Sequence, residues 1–290
     1  MVIQALLMVT LLASNLEQTA DSYRSYFGYT VVDSGIINAS CARQIGDARM
    51  DGRDFIIMRP PDGEPEVLLR FIEGASTSYQ PMLATGWNAI ELLAKDPDSL
   101  REQLQGEDFE VIGEPDYLTP AKNIYAMQVK GPSNELVYLT KMVDPSQSLL
   151  RPRSPLAPVG GTFIVVVGSK DLKETRSFLE GLFDNFLTKP MQFKIDILSQ
   201  ARGVASDTDF PIMLLKFAGP FGFEFDEYGN ESKAQSTDGG IILVSASVNG
   251  FIGKPSVWSR KPTASHCPRI AGPSGLITLP SGAKLELLFN

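Results

Sequence analysis

Arg70, Glu91 and Tyr138 have the side-chain types needed to move a proton beside a carbonyl group. Glu91 lies in an apolar run, and desolvation there would disfavour its ionised form, which suits a general base or acid. An arginine or a tyrosine hydroxyl can stabilise negative charge developing on an oxygen. Glu224 and Glu286 supply a further pair of carboxyls, with Asp226 two residues beyond Glu224. Held close together, such a pair would ionise in separate steps and provide one acid and one base. Other chemistry is scarce. The chain has one histidine, His266, beside Cys267 and Pro268 in a stretch that reads as a loop. That count argues against multi-histidine metal sites and against Ser-His or Cys-His nucleophiles. No P-loop is present, and Gly160-Gly161 precedes a strand rather than opening a helix.

The elements around these residues set which faces they share. Gly86 to Leu93 reads as a strand, so Glu91 sides with Ala89 and Leu93. On the segment Leu136 to Met142, Tyr138 sides with Leu136 and Thr140, and Arg70 sides with Leu68 and Glu66. A first strand through Val9 to Ala13 would carry Met8, Thr10 and Leu12 on one face, followed by a helix from Glu17 to Phe27 that ends at Gly28. The apolar start resembles a signal-peptide core, but no Lys or Arg precedes it and it is too short to span a bilayer, so it reads as a buried strand.

The pattern then repeats. Val9-Thr10-Leu11 returns as Val165-Val166-Val167, and the same offset pairs Ile56-Ile57-Met58 with Ile212-Met213-Leu214 and Leu68-Leu69-Arg70 with Glu224-Phe225-Asp226. The second and fourth quarters open alike, at Gly86 and Gly239. Pro255, Pro262, Pro268 and Pro273 make the fourth irregular. Each quarter is a strand, a helix and about three strands. One such unit could not stand alone, whereas two side by side make a curved sheet with helices outside and a concave inner face. The expected architecture is α+β: four βαβββ modules in two cup-like domains. Residues 1–145 form the first, 159–290 the second, and the Pro- and Ser-rich 146–158 a linker. Each cup would thus be built from two consecutive modules.

Val9 through Leu16-Glu17 to Tyr26-Phe27-Gly28, Gly86-Trp87-Asn88-Ala89 through Asp96-Pro97, and Met127 to Pro132 with Val137 to Thr140 together resemble the vicinal oxygen chelate superfamily. This superfamily includes glyoxalases, bleomycin-resistance proteins and extradiol dioxygenases. The resemblance implies metal ligands early in the first strand and in the last strand of each module. Carried over, the first-strand positions fall on Met8, Ile164, Ile242 and Ala89 or Asn88. The last-strand positions fall on Leu68, Tyr138, Glu224 and Glu286. None supplies an imidazole or thiolate, so no transition metal and no cofactor is expected. The resemblance also implies a possible homodimer.

The expected function is a metal-independent isomerase or lyase acting by proton transfer on a hydrophobic carbonyl-bearing or aromatic molecule. Glu91, Tyr138 and Arg70 would be catalytic, and Met8, Thr10, Leu68, Trp87, Asn88, Gln128, Thr140, Glu224 and Glu286 would bind substrate. The alternatives are a binding or resistance protein without turnover, and a metal-dependent lyase or dioxygenase using Glu224 and Glu286. Lys+Arg number 26 against 34 Asp+Glu, for a net charge of -8, which argues against a nucleic-acid partner. No stretch reaches membrane-spanning length. The two cysteines, Cys41 and Cys267, form no CxxC motif and read as reduced packing thiols, hence a cytoplasmic protein.

Overall fold

A computed structural model describes the chain except for residues 63–65, 77–78, 105, 107, 120, 230–231, 234–237, 251–254 and 290. Module one comprises β1 (Val2–Ala13), α1 (Leu16–Phe27), β2 (Thr30–Ile36), α2 (Ala39–Ile45), β3 (Asp54–Arg59) and β4 (Leu68–Glu73). Module two comprises β5 (Gly86–Ala94), α3 (Pro97–Gln103), β6 (Glu110–Tyr117), β7 (Ile124–Lys130) and β8 (Leu136–Met142). Module three repeats the first with β9 (Val159–Ser169), α4 (Leu172–Glu180), β10 (Met191–Lys194), α5 (Asp196–Arg202), β11 (Asp209–Lys216) and β12 (Gly222–Glu227). In module four, β13 (Gly240–Asn249) is followed by β14 (Trp258–Ala264), β15 (Pro273–Thr278) and β16 (Lys284–Phe289), with no α-helix among the described residues. The prolines of this stretch account for that loss.

Local chemistry explains the helix ends. Asn15 caps α1 by accepting from the Gln18 amide. At the other end Gly28 adopts φ 73° and returns its N–H to the carbonyls of Arg24 and Tyr23. Pro97 opens α3, and Asp96 before it makes no capping bond to the helix backbone. Its carboxylate accepts from Ser99 Oγ at 2.8 Å instead.

The strands form two eight-stranded sheets, ordered β14-β15-β16-β13-β1-β4-β3-β2 and β10-β11-β12-β9-β5-β8-β7-β6. Consecutive modules therefore do not share a cup in the way expected of residues 1–145 and 159–290. Module one joins module four through antiparallel β1 and β13, and module two joins module three through antiparallel β5 and β9. Each cup draws on both halves of the chain. The first strands are apolar on both faces and almost wholly buried, so their pattern specifies central position but no particular neighbour.

A continuous apolar core, including Tyr23, Phe27, Phe71, Trp87, Val165 and Phe223, runs through both sheets and under the helices. Trp87 is part of this core. Its Nε1 donates to the Lys284 carbonyl at 2.8 Å and its ring packs edge-on to Phe223, so it ties the sheets together instead of lining a cup.

Cys41 and Cys267 are joined in a disulfide across a sequence separation of 226. The expectation of two free thiols is thus overturned, and with it the argument for a cytoplasmic location, since such bonds persist in oxidising compartments. The bond fastens α2 of module one to the segment before β15 of module four, which is why spacing alone hid it. Among the described residues no helix is long and apolar enough to cross a membrane. Reduction, or Cys41→Ser with Cys267→Ser, should cost about 2–5 kcal/mol of stability. By thermal melting this appears as a drop on the order of 5–10 °C. A melting temperature unchanged by reductant would contradict a stabilising bond.

Candidate functional site

The two cups have opposite interiors. In the cup of modules one and four, Met8, Leu12, Cys41, Ile45, Ile57 and Leu276 pack into one apolar cluster under α2, with Leu68 against it. Thr10 and Arg70 are fully buried there. Arg70 donates to Thr10 Oγ1 through Nε at 3.1 Å and Nη2 at 2.9 Å, while Nη1 has no hydrogen-bond partner. Burial pushes its guanidinium down to about 10, with Glu286 opposing the shift. Glu286 is enclosed by donors. Gln44 Nε2 and Ser274 Oγ each reach Oε1 at 2.7 Å, Ser245 Oγ reaches Oε2 at 2.7 Å, and Arg260 Nη2 stands 3.6 Å away. This cup is filled by side chains, and the Glu286 carboxyl in it is enclosed by donors.

The cup of modules two and three holds a cavity of about 690 Å³. Glu91 on β5, Gln128 on β7, Tyr138 on β8, Ile164 on β9 and Glu224 on β12 line it, with Phe163, Met142, Leu214 and Ile197 supplying apolar wall. Helix α5 contributes Asp196, Ile197 and Gln200 to the rim. It is the counterpart of α2, which fills the other cup; neither helix was anticipated from the sequence. Gly113 on β6 also matters, because a Cβ there would collide with Gln128 Oε1.

The register of the central strands brings the acids together. Glu91 lies opposite Ile164 on β9 and opposite Tyr138 on β8. Ser245 takes the corresponding place in the other cup, opposite Met8 and Glu286. The first-strand position of module two is therefore Glu91, not Ala89 or Asn88, and that of module four is Ser245, not Ile242. A bulge in the β5–β9 ladder contributes one residue of the first slip, and bulges in the β1–β13 ladder contribute to the second. Asn88 instead fixes the preceding turn, accepting from the Met82 amide at 2.7 Å and donating to the carbonyls of Ala84 and Gly86.

Burial pushes the Glu91 carboxyl up to about 8. The charge of Glu224 adds to the shift, and Thr140 Oγ1, donating to Glu91 Oε1 at 2.6 Å, opposes it. Burial pushes Glu224 up to about 7. Asp226, behind Glu224, is raised further by burial and by both glutamates, and its Oδ1 is buried without a hydrogen-bond partner. The phenols of Tyr138 and Tyr228 are also raised by burial, then by Asp226, and stay neutral. Glu91 and Glu224 thus exchange protons near neutrality, and Asp226 stays protonated beyond the usual carboxylate range.

Of the expected site residues, Glu91, Gln128, Tyr138, Thr140 and Glu224 come together here. Met8, Thr10, Leu68, Arg70 and Glu286 lie in the other cup, so Arg70 cannot act with Glu91. Glu224 and Glu286, expected to pair, stand on different sheets. His266 lies exposed in a loop, as anticipated, and only its backbone amide is engaged, by Gln44 Oε1 at 2.8 Å.

Folded pKa values raised above the unfolded ones mean that the native state binds extra protons between about pH 4.5 and 8, so stability must fall as pH rises through that window. The melting temperature should drop by roughly 5 °C between about pH 6 and 9. Glu91→Gln should flatten the slope. A wild-type curve that is level or rising over this range would refute the assignment of these buried carboxyls.

The metal positions implied by the resemblance converge in this cup as Glu91, Tyr138, Ile164 and Glu224. Isoleucine offers no donor, the phenol is held neutral, and Glu91 already accepts from Thr140. Among the described residues no group of three or more His, Cys, Asp or Glu side chains is placed to hold an ion. The donor set does not fit a transition-metal centre.

No protein-family profile matches the sequence, and no curated protein does. Solved structures are similar in fold. Glyoxalase I from Zea mays superposes with a TM-score of 0.62 at 14% identity, over 98% of this chain and 92% of that one. A protein from Bacillus subtilis assigned as a candidate dioxygenase gives a TM-score of 0.63 at 8% identity, over 99% and 85%. With its four modules paired into two curved sheets, the chain has the fold of the vicinal oxygen chelate superfamily.

Proposed function

We propose that the protein is a small-molecule enzyme that transfers a proton next to a carbonyl in the cup of modules two and three, without using a metal in that step. The observation that carries this reading is the pair of carboxyls, buried Glu91 and part-buried Glu224, lining one cavity with apolar walls, with ionisations near 8 and 7. Near neutral pH one can be ionised while the other keeps its proton. The carboxylate removes a proton from carbon, and the protonated neighbour delivers one to the product. Tyr138 and Gln128 line the same cavity and would donate to the carbonyl oxygen as charge develops. Apolar walls formed by Ile112, Phe163, Ile164 and Leu214 favour a hydrophobic substrate body. Relative to the expectation from sequence, Arg70 leaves this mechanism.

The test is a thermal-shift screen of hydrophobic aldehydes, ketones and aromatic carbonyl compounds. Binders are then incubated with the protein in deuterium oxide and followed by NMR. Deuterium incorporation at the carbon beside the carbonyl is expected. Binding without incorporation would support a non-catalytic binding protein instead.

A further inference from the structure

We infer that the molecule bound in the open cup is a hydrophobic cation, with an ammonium or amidinium group seated between Glu91 and Glu224 and its apolar body along the cavity wall. The inference rests on the proposed use of this cup and adds the substrate's charge: with a cation keeping Glu224 ionised, Glu91 alone takes the proton from carbon and returns it to the product.

The two cups differ in what balances their acids. In the closed one, the buried carboxylate of Glu286 has Arg260 at 3.6 Å and the field of Arg70. Arg70 stands beside Thr10 on the β1–β4 ladder, and the corresponding place beside Val166 on the β9–β12 ladder is Glu224, so the open cup has an acid where its twin has a guanidinium, with Asp226 two residues further on. Glu91 on β5 and Glu224 and Asp226 on β12 lie close enough to raise one another's ionisation. Among the described residues none of the three makes an ion pair. The nearest cations on neighbouring elements are otherwise placed. Arg202 on α5 is spent on the Tyr228 carbonyl at 2.7 Å and the Tyr228 ring, and Lys194 is an exposed rim residue. Of the rim acids, Glu114 is paired with Arg101, whereas Asp116 and Asp196 are exposed around the entrance. Asp116 and Asp196 would draw in a cation before the floor acids receive it.

A second observation points to a ligand independently of the acids. Tyr138 and Gln128 are each 8% exposed and line the cavity, yet among the described residues neither side chain makes a hydrogen bond. Buried polar groups are normally satisfied, so these two await a partner that the cavity admits. A cation at the floor would also drive proton release from the carboxyls that receive it, so its affinity should rise with pH while that of a neutral analogue should not. The groups that set this response are Glu91, Glu224, Asp226, Tyr138 and Tyr228, with Arg202, Lys194 and Asp196 at the periphery.

The test uses phenylbutylamine, phenylbutanol and phenylbutyrate as probes of matched shape, titrated calorimetrically into the full-length protein at low salt. The amine should bind roughly tenfold or more tighter than the alcohol, the margin expected of charge-assisted hydrogen bonds, and the carboxylate weakest. Its advantage should grow between about pH 6 and 8 and disappear in the Glu91→Gln, Glu224→Gln double variant, with the alcohol's affinity retained. Equal binding of amine and alcohol, or no binding of the amine, would overturn the cation assignment. Neither result bears on whether deuterium enters a carbonyl compound, so the two proposals fail separately.

Discussion

Replacing Glu91 by Gln should slow deuterium incorporation into a bound carbonyl compound by roughly 10²–10⁴-fold, the usual contribution of a positioned general acid or base. The substitution keeps shape and volume, and the amide oxygen can still accept from Thr140 Oγ1, which now lies 2.6 Å from Glu91 Oε1. Affinity for an uncharged ligand should therefore change little. Stability should move the opposite way from activity. The ionised form of Glu91 is disfavoured by burial and by Glu224, so removing the titratable group relieves the native state as pH rises past about 8. Lost turnover combined with gained alkaline stability marks a site held at the expense of the fold. Undiminished exchange in this variant would remove Glu91 from the mechanism.

The closed cup should respond in the reverse sense. Glu286→Ala should destabilise the protein by about 3–5 kcal/mol, the range for breaking a buried charged arrangement from one side. It would leave Gln44, Ser245 and Ser274 without their shared acceptor and Arg70 buried without a nearby counter-charge. Melting should begin at least 6 °C lower, on the order of 2 °C per kcal/mol, while deuterium exchange in the open cup persists below the transition. A stable Glu286→Ala variant lacking exchange would place function in the wrong cup. The two glutamates thus separate cleanly: one is expendable for folding and needed for chemistry, the other the reverse.

Much of the module architecture was legible because each module announces itself. A long apolar strand, a capped helix and alternating strands recur at one offset, and β9, α4, β11 and β12 fall where β1, α1, β3 and β4 predict them. The inward face of β8 was legible too, since Tyr138 and Thr140 alternate with Leu139 and the period of a strand leaves one choice. Module pairing was not. The central strands are apolar on both faces, so nothing local distinguishes β13 from β5 as the neighbour of β1. That single ambiguity sent Arg70 to the wrong cup, joined Glu224 to Glu286, and hid the bond between Cys41 and Cys267. A smaller point was hidden as well, the two-residue slip that puts Glu91 rather than Ala89 opposite Ile164, half of which comes from a bulge in the ladder. Trp87 and Asn88 were read as ligand contacts, Asn88 as a carried-over first-strand position, but the start of β5 spends them on packing and on a turn.

The claim at the centre of this account is that the cup of modules two and three receives the ligand, and that its twin is a closed core. The most direct test is the crystal structure of the protein with a carbonyl compound selected by the exchange screen. The account predicts the compound in the cavity bounded by β5, β8 and β12, with its polar group within hydrogen-bond distance of Glu91 or Glu224. A compound lodged beside Arg70 and Glu286, with the Glu91 cavity left to water, would contradict it.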